Sequence, residues 1–177
     1  MALAAAVRGS LAELDHDDTA AEAVQVLCEL VTSAWGDLGS TIGATFRADG
    51  GLAKLVRLLQ WFSMMPSTDE HAIAMRIDLL VLLGNLASDA VDASSALTKR
   101  ELLACGGPSA LLACLYTDVV EVLMLTLGAL QNLADEAEWA RTLAAGSALT
   151  ELERCLALYD EDSLVAHYAA GCLKNMS

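Results

Sequence analysis

The stretch that decides the fold is "GALQNLAD", residues Gly128–Asp135, in which the amide residue Asn132 stands inside an otherwise apolar run. The same pattern occurs in "VLLGNLA" and "GCLKNMS", which place Asn85 and Asn175 at the equivalent position. The three asparagines are separated by 47 and 43 residues. Self-similarity at a period of 20–50 residues indicates a repeat architecture, in which each repeat is one supersecondary unit.

The residues around each of these asparagines form an apolar stripe. Leucine stands two residues before each asparagine, Leu or Met stands one residue after it, and Leu or Ala stands five residues before it. These positions are three apart, so on a helix they share one face. The pattern therefore predicts a helix with one buried face, and it places the asparagine beside that face.

A glycine motif recurs upstream of the asparagines. "TFRADGGLAKLVRLL" (Thr45–Leu59) aligns without a gap on "ELLACGGPSALLACL" (Glu101–Leu115), and "LAAGSALTELERCL" (Leu143–Leu156) repeats the plan with one glycine. Each predicts a short helix that stops at glycine, which adopts the left-handed conformation freely, and then a second helix. Each unit is thus a short helix, a glycine turn, a helix, a polar turn and a longer helix.

Residues of the polar turn that precedes the longer helix of each unit predict where the asparagine-bearing helices begin. Ser67 is followed three residues later by Glu70, which is the spacing of a capping box. Further along, Thr117 or Asp118 is the expected N-cap of the next asparagine-bearing helix, and Asp160 or Asp162 is that of the last.

The combination of period, glycine turn and "L-x-N-L" ending resembles the armadillo repeat, whose units of about 40–47 residues stack as helical layers. The match covers roughly residues 38–177. The resemblance implies an all-α fold, a right-handed alpha-solenoid of stacked three-helix armadillo-like repeats, in a single domain over residues 1–177. The approximate units are 1–37, 38–95, 96–141 and 142–177. The first unit is degenerate, because Glu29 stands where the others have asparagine, and it is a plausible cap.

The resemblance also implies a binding site. In such a solenoid the third helices line a concave groove, where each asparagine hydrogen-bonds the backbone of an extended peptide, since an amide offers a donor and an acceptor. The alternative left open is that the asparagine ties its helix to the neighbouring repeat by bonding a free helix-end carbonyl. The candidate groove residues are Asn85, Asn132, Asn175, Asp78, Ser88, Asp89, Leu125, Asp135, Glu136 and Tyr168.

The groove residues indicate the chemistry of the ligand. Several candidates are acidic, so the groove is expected to prefer a ligand that carries Lys or Arg. Members of this superfamily that import basic cargo place Trp four residues before many of the asparagines. Here those positions hold Val81, Gly128 and Gly171, which disfavours a function as an import receptor of that kind.

The charge of the chain restricts the partners. Asp and Glu total 24 against 10 Lys and Arg, for a net charge of -14, and acidic residues are in excess in every unit. This balance argues against nucleic acid and anionic membranes, both of which attract basic surfaces. The longest uncharged stretches are shorter than the roughly 20 residues of a membrane span, so no membrane insertion is expected. The predicted partners are proteins, either an extended peptide or subunits of an assembly.

Nothing in the sequence points to catalysis. None of the three histidines lies in a recognisable nucleophile arrangement, and the Gly-Gly pairs are not followed by the Lys-Ser/Thr of a phosphate loop. We therefore predict no catalytic residue, no cofactor and no metal. The five cysteines are odd in number and form no CxxC, which predicts free thiols in a reducing, intracellular compartment. The cytoplasm is expected, with the nucleus or an organelle left open.

The sequence thus predicts a non-enzymatic protein-interaction scaffold that binds an extended, basic peptide in its groove. The alternative is a structural subunit docked by its ends or convex face into a larger assembly. It is favoured by the apolar flank of the last helix, which has no capping repeat and could dock on a partner or on further repeats. Trp35, Trp61 and Trp139 are candidate interface anchors, with partial burial in the core as the alternative.

Overall fold

A computed structural model describes residues 2–16 and 18–177. In this part of the chain every regular element is an α-helix. The helices are α1 (Ala2–Glu13), α2 (Ala20–Thr32), α3 (Asp37–Ala48), α4 (Gly51–Ser63), α5 (Glu70–Leu86), α6 (Ser95–Ala104), α7 (Gly107–Cys114), α8 (Val120–Leu133), α9 (Ala137–Ala145), α10 (Ala148–Leu158) and α11 (Leu164–Asn175).

The helices stack in the order expected of three-helix repeats. Helices α2, α5, α8 and α11 pack side by side in succession, and they form one layer. Helix α4 packs against α7 in a second layer, while α3 contacts α6. The predicted all-α solenoid is therefore confirmed, with the asparagine-bearing helices α5, α8 and α11 as neighbours in one layer.

A continuous apolar core runs through the stack from Val7 to Cys172 and consists mainly of Leu, Ala and Val. The predicted stripe is part of it, because Leu83 and Leu130, two residues before Asn85 and Asn132, are buried. The asparagines themselves are only partly buried. Burial of the stripe thus fixes the rotation of each helix and sets the asparagine at the edge of the core.

The glycine turns follow the prediction in two units and differ in the third. Gly50 and Gly106 have φ of +68° and +92°, in the left-handed region where a Cβ is strained. Gly146 instead has φ of -100° and ψ of -161°, which is extended backbone. The single glycine therefore ends α9 without the left-handed turn that ends the equivalent helices α3 and α6.

Three predicted helix caps are wrong by one or a few residues. Helix α8 follows Val119, which makes no side-chain capping bond, rather than Thr117 or Asp118. The side chain of Asp69, rather than Ser67, accepts a hydrogen bond of 3.0 Å from the amide of Ala72 at the start of α5. Ser163, rather than Asp160 or Asp162, caps α11 by accepting from the amide of Ala166. An N-cap side chain reaches the amide two or three residues further on, so the cap must directly precede the helix, as these two residues do.

A buried ion pair lies within the second unit and is linked to the third by one further hydrogen bond. Arg47 of α3 lies 2.6 Å from Asp92 in the connection between α5 and α6, and Asp92 is fully buried. The same guanidinium nitrogen donates to Thr98 of α6. Asp92 also accepts from the amide of Ser94, so the carboxylate that enters the core has hydrogen-bond partners on both oxygens.

Candidate protein-binding groove

The asparagines of α8 and α11 form the same hydrogen bond. Nδ2 of Asn132 donates to the carbonyl oxygen of Gly84 at 3.1 Å, and Nδ2 of Asn175 donates to the carbonyl of Gln131 at 3.0 Å. Gly84 and Gln131 are equivalent, because each directly precedes the asparagine of its own helix. Each bond therefore links one unit to the unit before it.

The acceptors of these bonds lie at helix ends. Gly84 and Gln131 are in the last turns of α5 and α8, where the final four carbonyls have no partner within the helix. The asparagine of the following unit supplies the missing donor. The inter-repeat tie, which sequence analysis left open, is thus present at Asn132 and Asn175.

Asn85 behaves differently. Its Nδ2 donates to the carbonyl of Val81, one turn back in its own helix, at 2.8 Å. The position in α2 that would be equivalent to Gly84 is Cys28, and its carbonyl already accepts a bond of 2.7 Å from the hydroxyl of Thr32. The degenerate first unit therefore satisfies its own helix end, so no donor from Asn85 is needed there.

Each asparagine keeps polar capacity that faces the solvent. In the described ranges 2–16 and 18–177 none of the three Oδ1 atoms accepts a hydrogen bond, and Arg76 Nη2 is the one buried side-chain atom without a partner. The Oδ1 atoms are thus accessible. An amide nitrogen carries two hydrogens, so the tie uses one and leaves one N–H together with Oδ1. Tying a repeat and binding a ligand therefore use different atoms.

A cavity of about 320 Å³ opens between α5, α8 and α11. Five predicted groove residues lie together in its lining: Asn85, Ser88, Leu125, Asn132 and Tyr168. Its other lining residues are Leu80, Val81, Gly84, Met124, Gly128, Ala129, Gln131 and Leu164. The lining is mainly apolar, includes the amide residues Asn85, Gln131 and Asn132, and contains no charged residue.

Sequence analysis missed Leu164, which lines this cavity and is 55% exposed. It is the first residue of α11, 11 residues before Asn175, and so lies further from its asparagine than any predicted groove residue of that helix. An available signal was the large apolar residue directly after Ser163, which caps the helix. Residues at the start of an asparagine-bearing helix thus also contribute to the groove.

The acidic candidates Asp89 and Asp135 lie outside this cavity and bind Lys99. The ammonium of Lys99 is 2.8 Å from both Asp135 carboxylate oxygens and 3.4 Å from Asp89, although Lys99 is only 2% exposed. The Ser95 hydroxyl also donates to Asp89, and this bond, aided by Lys99, holds the pKa of Asp89 below its ordinary value. These two carboxylates therefore compensate a buried cation of the protein itself. Glu136 follows them and precedes α9 without a side-chain capping bond.

Asp78 lies one turn before Val81 in α5, outside the cavity lining and next to α2. The Cys28 thiol donates to the carbonyl of Asp78 at 3.1 Å. Burial raises the pKa of the Asp78 carboxyl above its usual value, because partial desolvation disfavours the charged form. In the described part of the chain no ion pair involves this carboxylate, so a cationic group placed there would stabilise it.

The three tryptophans have different environments. Trp139 is buried, and its indole Nε1 donates to the Lys99 carbonyl at 2.7 Å, so it is not a surface anchor. Gly107 makes room for the ring, since a Cβ there would lie 3.2 Å from Trp139 and 2.6 Å from the Leu102 carbonyl oxygen. Trp35 and Trp61 are exposed.

Metal sites, membrane-spanning helices and cysteine chemistry were the other features that could indicate a function. Among residues 2–16 and 18–177 no group of three His, Cys, Asp or Glu side chains is placed to hold a metal ion. None of the described helices is long and apolar enough to cross a bilayer. The five cysteines are free thiols, three of them buried.

Comparison with known proteins identifies the fold. No protein-family model and no curated protein matches the chain. Among solved structures, a designed armadillo repeat protein in complex with the peptide (KR)4 superposes with a TM-score of 0.73 at 20% identity, over 94% of this chain and 62% of that one. A second designed armadillo repeat protein gives 0.71 at 19% identity, over 94% and 63% of the two chains. An engineered protein gives 0.73 at 23% identity, over 97% and 63%.

These similarities show that the chain has the armadillo-repeat fold, as its repeats indicated. The chain spans a little under two thirds of the length of each of these three proteins. At sequence identities of 19–23% the similarity to these structures concerns the fold alone.

Proposed function

We propose that the protein is a non-enzymatic interaction scaffold that binds an extended, basic segment of a partner protein along its concave groove. The observation that carries this proposal is the cavity between α5, α8 and α11, where Asn85 and Asn132 present unused amide atoms. An unused N–H and an unused carbonyl oxygen can pair with one peptide C=O and one peptide N–H. Held in this way, a ligand is bound through its main chain.

Charge supports a basic ligand. The layer that contains the groove consists of α2, α5, α8 and α11. These helices carry the acidic residues Glu22, Glu29, Glu70, Asp78 and Glu121. Their only Lys and Arg residues are Arg76, which is buried, and Lys174 near the end of α11. One neighbour in fold, a designed armadillo protein, is described as a complex with the peptide (KR)4. A net charge of -14 adds a long-range attraction for such ligands.

The test is titration of a fluorescein-labelled (KR)4 octapeptide into the wild-type protein and the Asn85→Ala variant. Asn85 bonds only within its own helix, so its loss is expected to affect binding more than stability. Losing one or two net hydrogen bonds should weaken binding by roughly three- to tenfold. Thr142→Ala, an exposed change on α9, is the control. Equal affinities of wild type and Asn85→Ala would reject the groove, and equal binding of a neutral (SG)4 peptide would reject the basic preference.

A second candidate function is docking into an assembly through the outer helices. It is favoured by Trp61 and Met64 at the end of α4, which are 55% and 74% exposed, and by Tyr116, 60% exposed, just after α7. Large exposed apolar side chains of this kind often mark protein interfaces. A partner that is retained by Asn85→Ala but released by Trp61→Ser with Met64→Ser would support this function, and the reverse pattern would support the groove.

We also place the scaffold in a reducing compartment within the cell, with the cytoplasm as the first expectation. The free, mostly buried cysteines support this assignment, because a thiol-rich core suits an environment in which disulfides do not form. Localisation of the tagged full chain by fluorescence microscopy tests it, and a secreted, oxidised product would contradict it.

A further inference from the structure

Two residues that line the groove cavity are glycines, which place no side chain in it. Gly84 of α5 and Gly128 of α8 both line it, although glycine in a helix interior costs about 1 kcal/mol relative to alanine. Neither glycine is required by packing. A Cβ on Gly128 would lie 3.7 Å from the Tyr168 ring and one on Gly84 would lie 3.6 Å from Ala129, which are ordinary contacts. The folded chain therefore has room for a methyl group at each of these positions.

The equivalent position in the next helix is closed. A Cβ on Gly171 would lie 2.5 Å from the Nε2 atom of Gln131, so the Gln131 side chain already covers that glycine. The groove therefore does not offer a series of identical sites. It offers one open site over Gly128, walled by Leu125, Leu164 and Tyr168.

From this geometry we infer that the cavity over Gly128 holds one bulky apolar side chain, Phe or Leu in character, of an extended ligand segment that carries Lys or Arg on either side. This inference rests on the proposed function, because it assigns a residue preference to the same groove. In this arrangement the cavity selects one apolar side chain of the ligand, whereas the asparagine amides bind the ligand's main chain.

The chemistry of the lining favours an apolar occupant. The cavity volume of about 320 Å³ lies at the lower end of ligand pockets, so it suits a single large side chain. No carboxylate lines it, and a Lys or Arg head group inserted there would lose its hydration without gaining a counter-charge. Leu164, more than half exposed at the rim, gains burial only when such an occupant is present.

The positions of the ligand's basic residues follow from the way side chains alternate along an extended chain. Successive side chains point to opposite sides, so when one residue enters the cavity its two neighbours point away from it. The partly desolvated carboxylate of Asp78 lies one turn along α5 from the cavity residue Val81. A basic residue beside the apolar one can reach that carboxylate, which joins the apolar and the basic preference in one ligand.

The experiment compares two synthetic peptides, acetyl-KRKFRKR-amide and acetyl-KRKARKR-amide, by fluorescence anisotropy with the full chain. We expect the Phe peptide to bind about tenfold or more tightly than the Ala peptide, from burial of one large apolar side chain. This ratio should persist from 0.15 to 0.5 M NaCl. Both affinities fall over that range, because salt screens the charges that the two peptides share.

Two variants of one residue locate the preference. Gly128→Leu fills the cavity and should bring the Phe-to-Ala affinity ratio close to one while the Ala peptide still binds. Gly128→Ala is the graded companion: its Cβ makes only an ordinary contact with Tyr168, so it should lower the ratio much less than Gly128→Leu does. Circular dichroism and urea unfolding verify that both variants fold.

A surface variant keeps the test decisive if Gly128→Leu does not fold. Leu164→Ser alters an exposed rim residue and should lower the ratio at least threefold. Leu149→Ser, at an exposed leucine of α10 outside the cavity, should leave it unchanged. A ratio that Leu164→Ser does not alter would overturn the inference.

The outcomes separate the inference from the proposed function. If the wild-type protein binds both peptides with equal affinity, the apolar site is refuted and the basic groove stands. If neither peptide binds, the proposed function itself is refuted, and the inference fails with it. A Phe preference that survives Gly128→Leu would mean that the apolar side chain is bound elsewhere, which also overturns the inference.

Discussion

The Asn132 amide donates to the carbonyl of Gly84 in the preceding repeat, while its oxygen stays open to the groove. Asn132→Ala leaves that helix-end carbonyl without its partner, so the free energy of unfolding should fall by about 1 kcal/mol. Asn85→Ala should cost less than about 0.5 kcal/mol, because Asn85 donates to a carbonyl in the interior of its own helix. Urea unfolding followed by circular dichroism measures both values, and equal losses would contradict an inter-repeat role for Asn132.

The pair of Lys99 and Asp135 should respond asymmetrically to substitution. Asp135→Ala leaves the buried ammonium with the more distant Asp89 alone, and we expect a loss of about 2 kcal/mol, below the range for fully buried pairs. Lys99→Met should cost less, because methionine fills the apolar site and the half-exposed Asp135 becomes hydrated. Chemical unfolding of the two variants gives the comparison. A larger loss of unfolding free energy for Lys99→Met than for Asp135→Ala would contradict this expectation. It would show that the attraction between Lys99 and Asp135 contributes more than the burial of the ammonium costs.

The order of the helices and the position of the asparagines could be predicted from the sequence because they depend on local rules. Apolar residues at -5, -2 and +1 fix which face of α8 is buried, and the left-handed Gly50 and Gly106 fix where the preceding helices stop. Each rule operates within one or two turns of a helix. Knowledge of the neighbouring repeat is not needed to apply it.

The partners of the polar groups could not be predicted, because they come from distant parts of the chain. Lys99 meets Asp135 across 36 positions of the chain, and Trp139 is buried because Gly107 leaves space for its ring. Both contacts depend on how helices that are distant in sequence pack against one another. For the same reason the ion pairs of Asp89 and Asp135 with Lys99 were not expected from their sequence positions.

Arg76 is a buried cation whose replacement should stabilise the protein. Its Nε donates to the Ala72 carbonyl, but Nη2 has no partner, and no carboxylate of the described residues pairs with it. Arg76→Met retains an apolar side chain of similar length and removes an uncompensated charge, so the free energy of unfolding should rise by about 1 kcal/mol.

The matched control for Arg76→Met is Arg47→Met, which removes the partner of the fully buried Asp92 and should cost about 3 kcal/mol. Thermal and urea unfolding of the two variants should therefore shift in opposite directions. If Arg76→Met also destabilises, the guanidinium has a stabilising partner in solution, and the interpretation of Arg76 as an uncompensated charge is wrong.

The buried thiols should make the protein sensitive to alkali. Burial raises the pKa of Cys172 to about 12, and burial together with the nearby Asp78 raises that of Cys28 to about 12, against an ordinary value of 9.0. Between pH 9 and 12 the unfolded chain loses these protons while the folded chain keeps them. Stability is therefore complete below pH 9 and falls as the pH rises, by at most about 1.4 kcal/mol per pH unit for each thiol.

The Cys172→Ala variant isolates this contribution. Its stability at pH 8 should be lower than that of the wild type, because a buried side chain has been shortened, but its loss of stability between pH 9 and 10.5 should be smaller. The difference between the two slopes belongs to one thiol, since every lysine and tyrosine titrates in both proteins. Urea unfolding at half-unit pH steps measures it. Parallel slopes would mean that the Cys172 thiolate is as accessible in the folded protein as in the unfolded one, which its burial against the Leu127 carbonyl argues against.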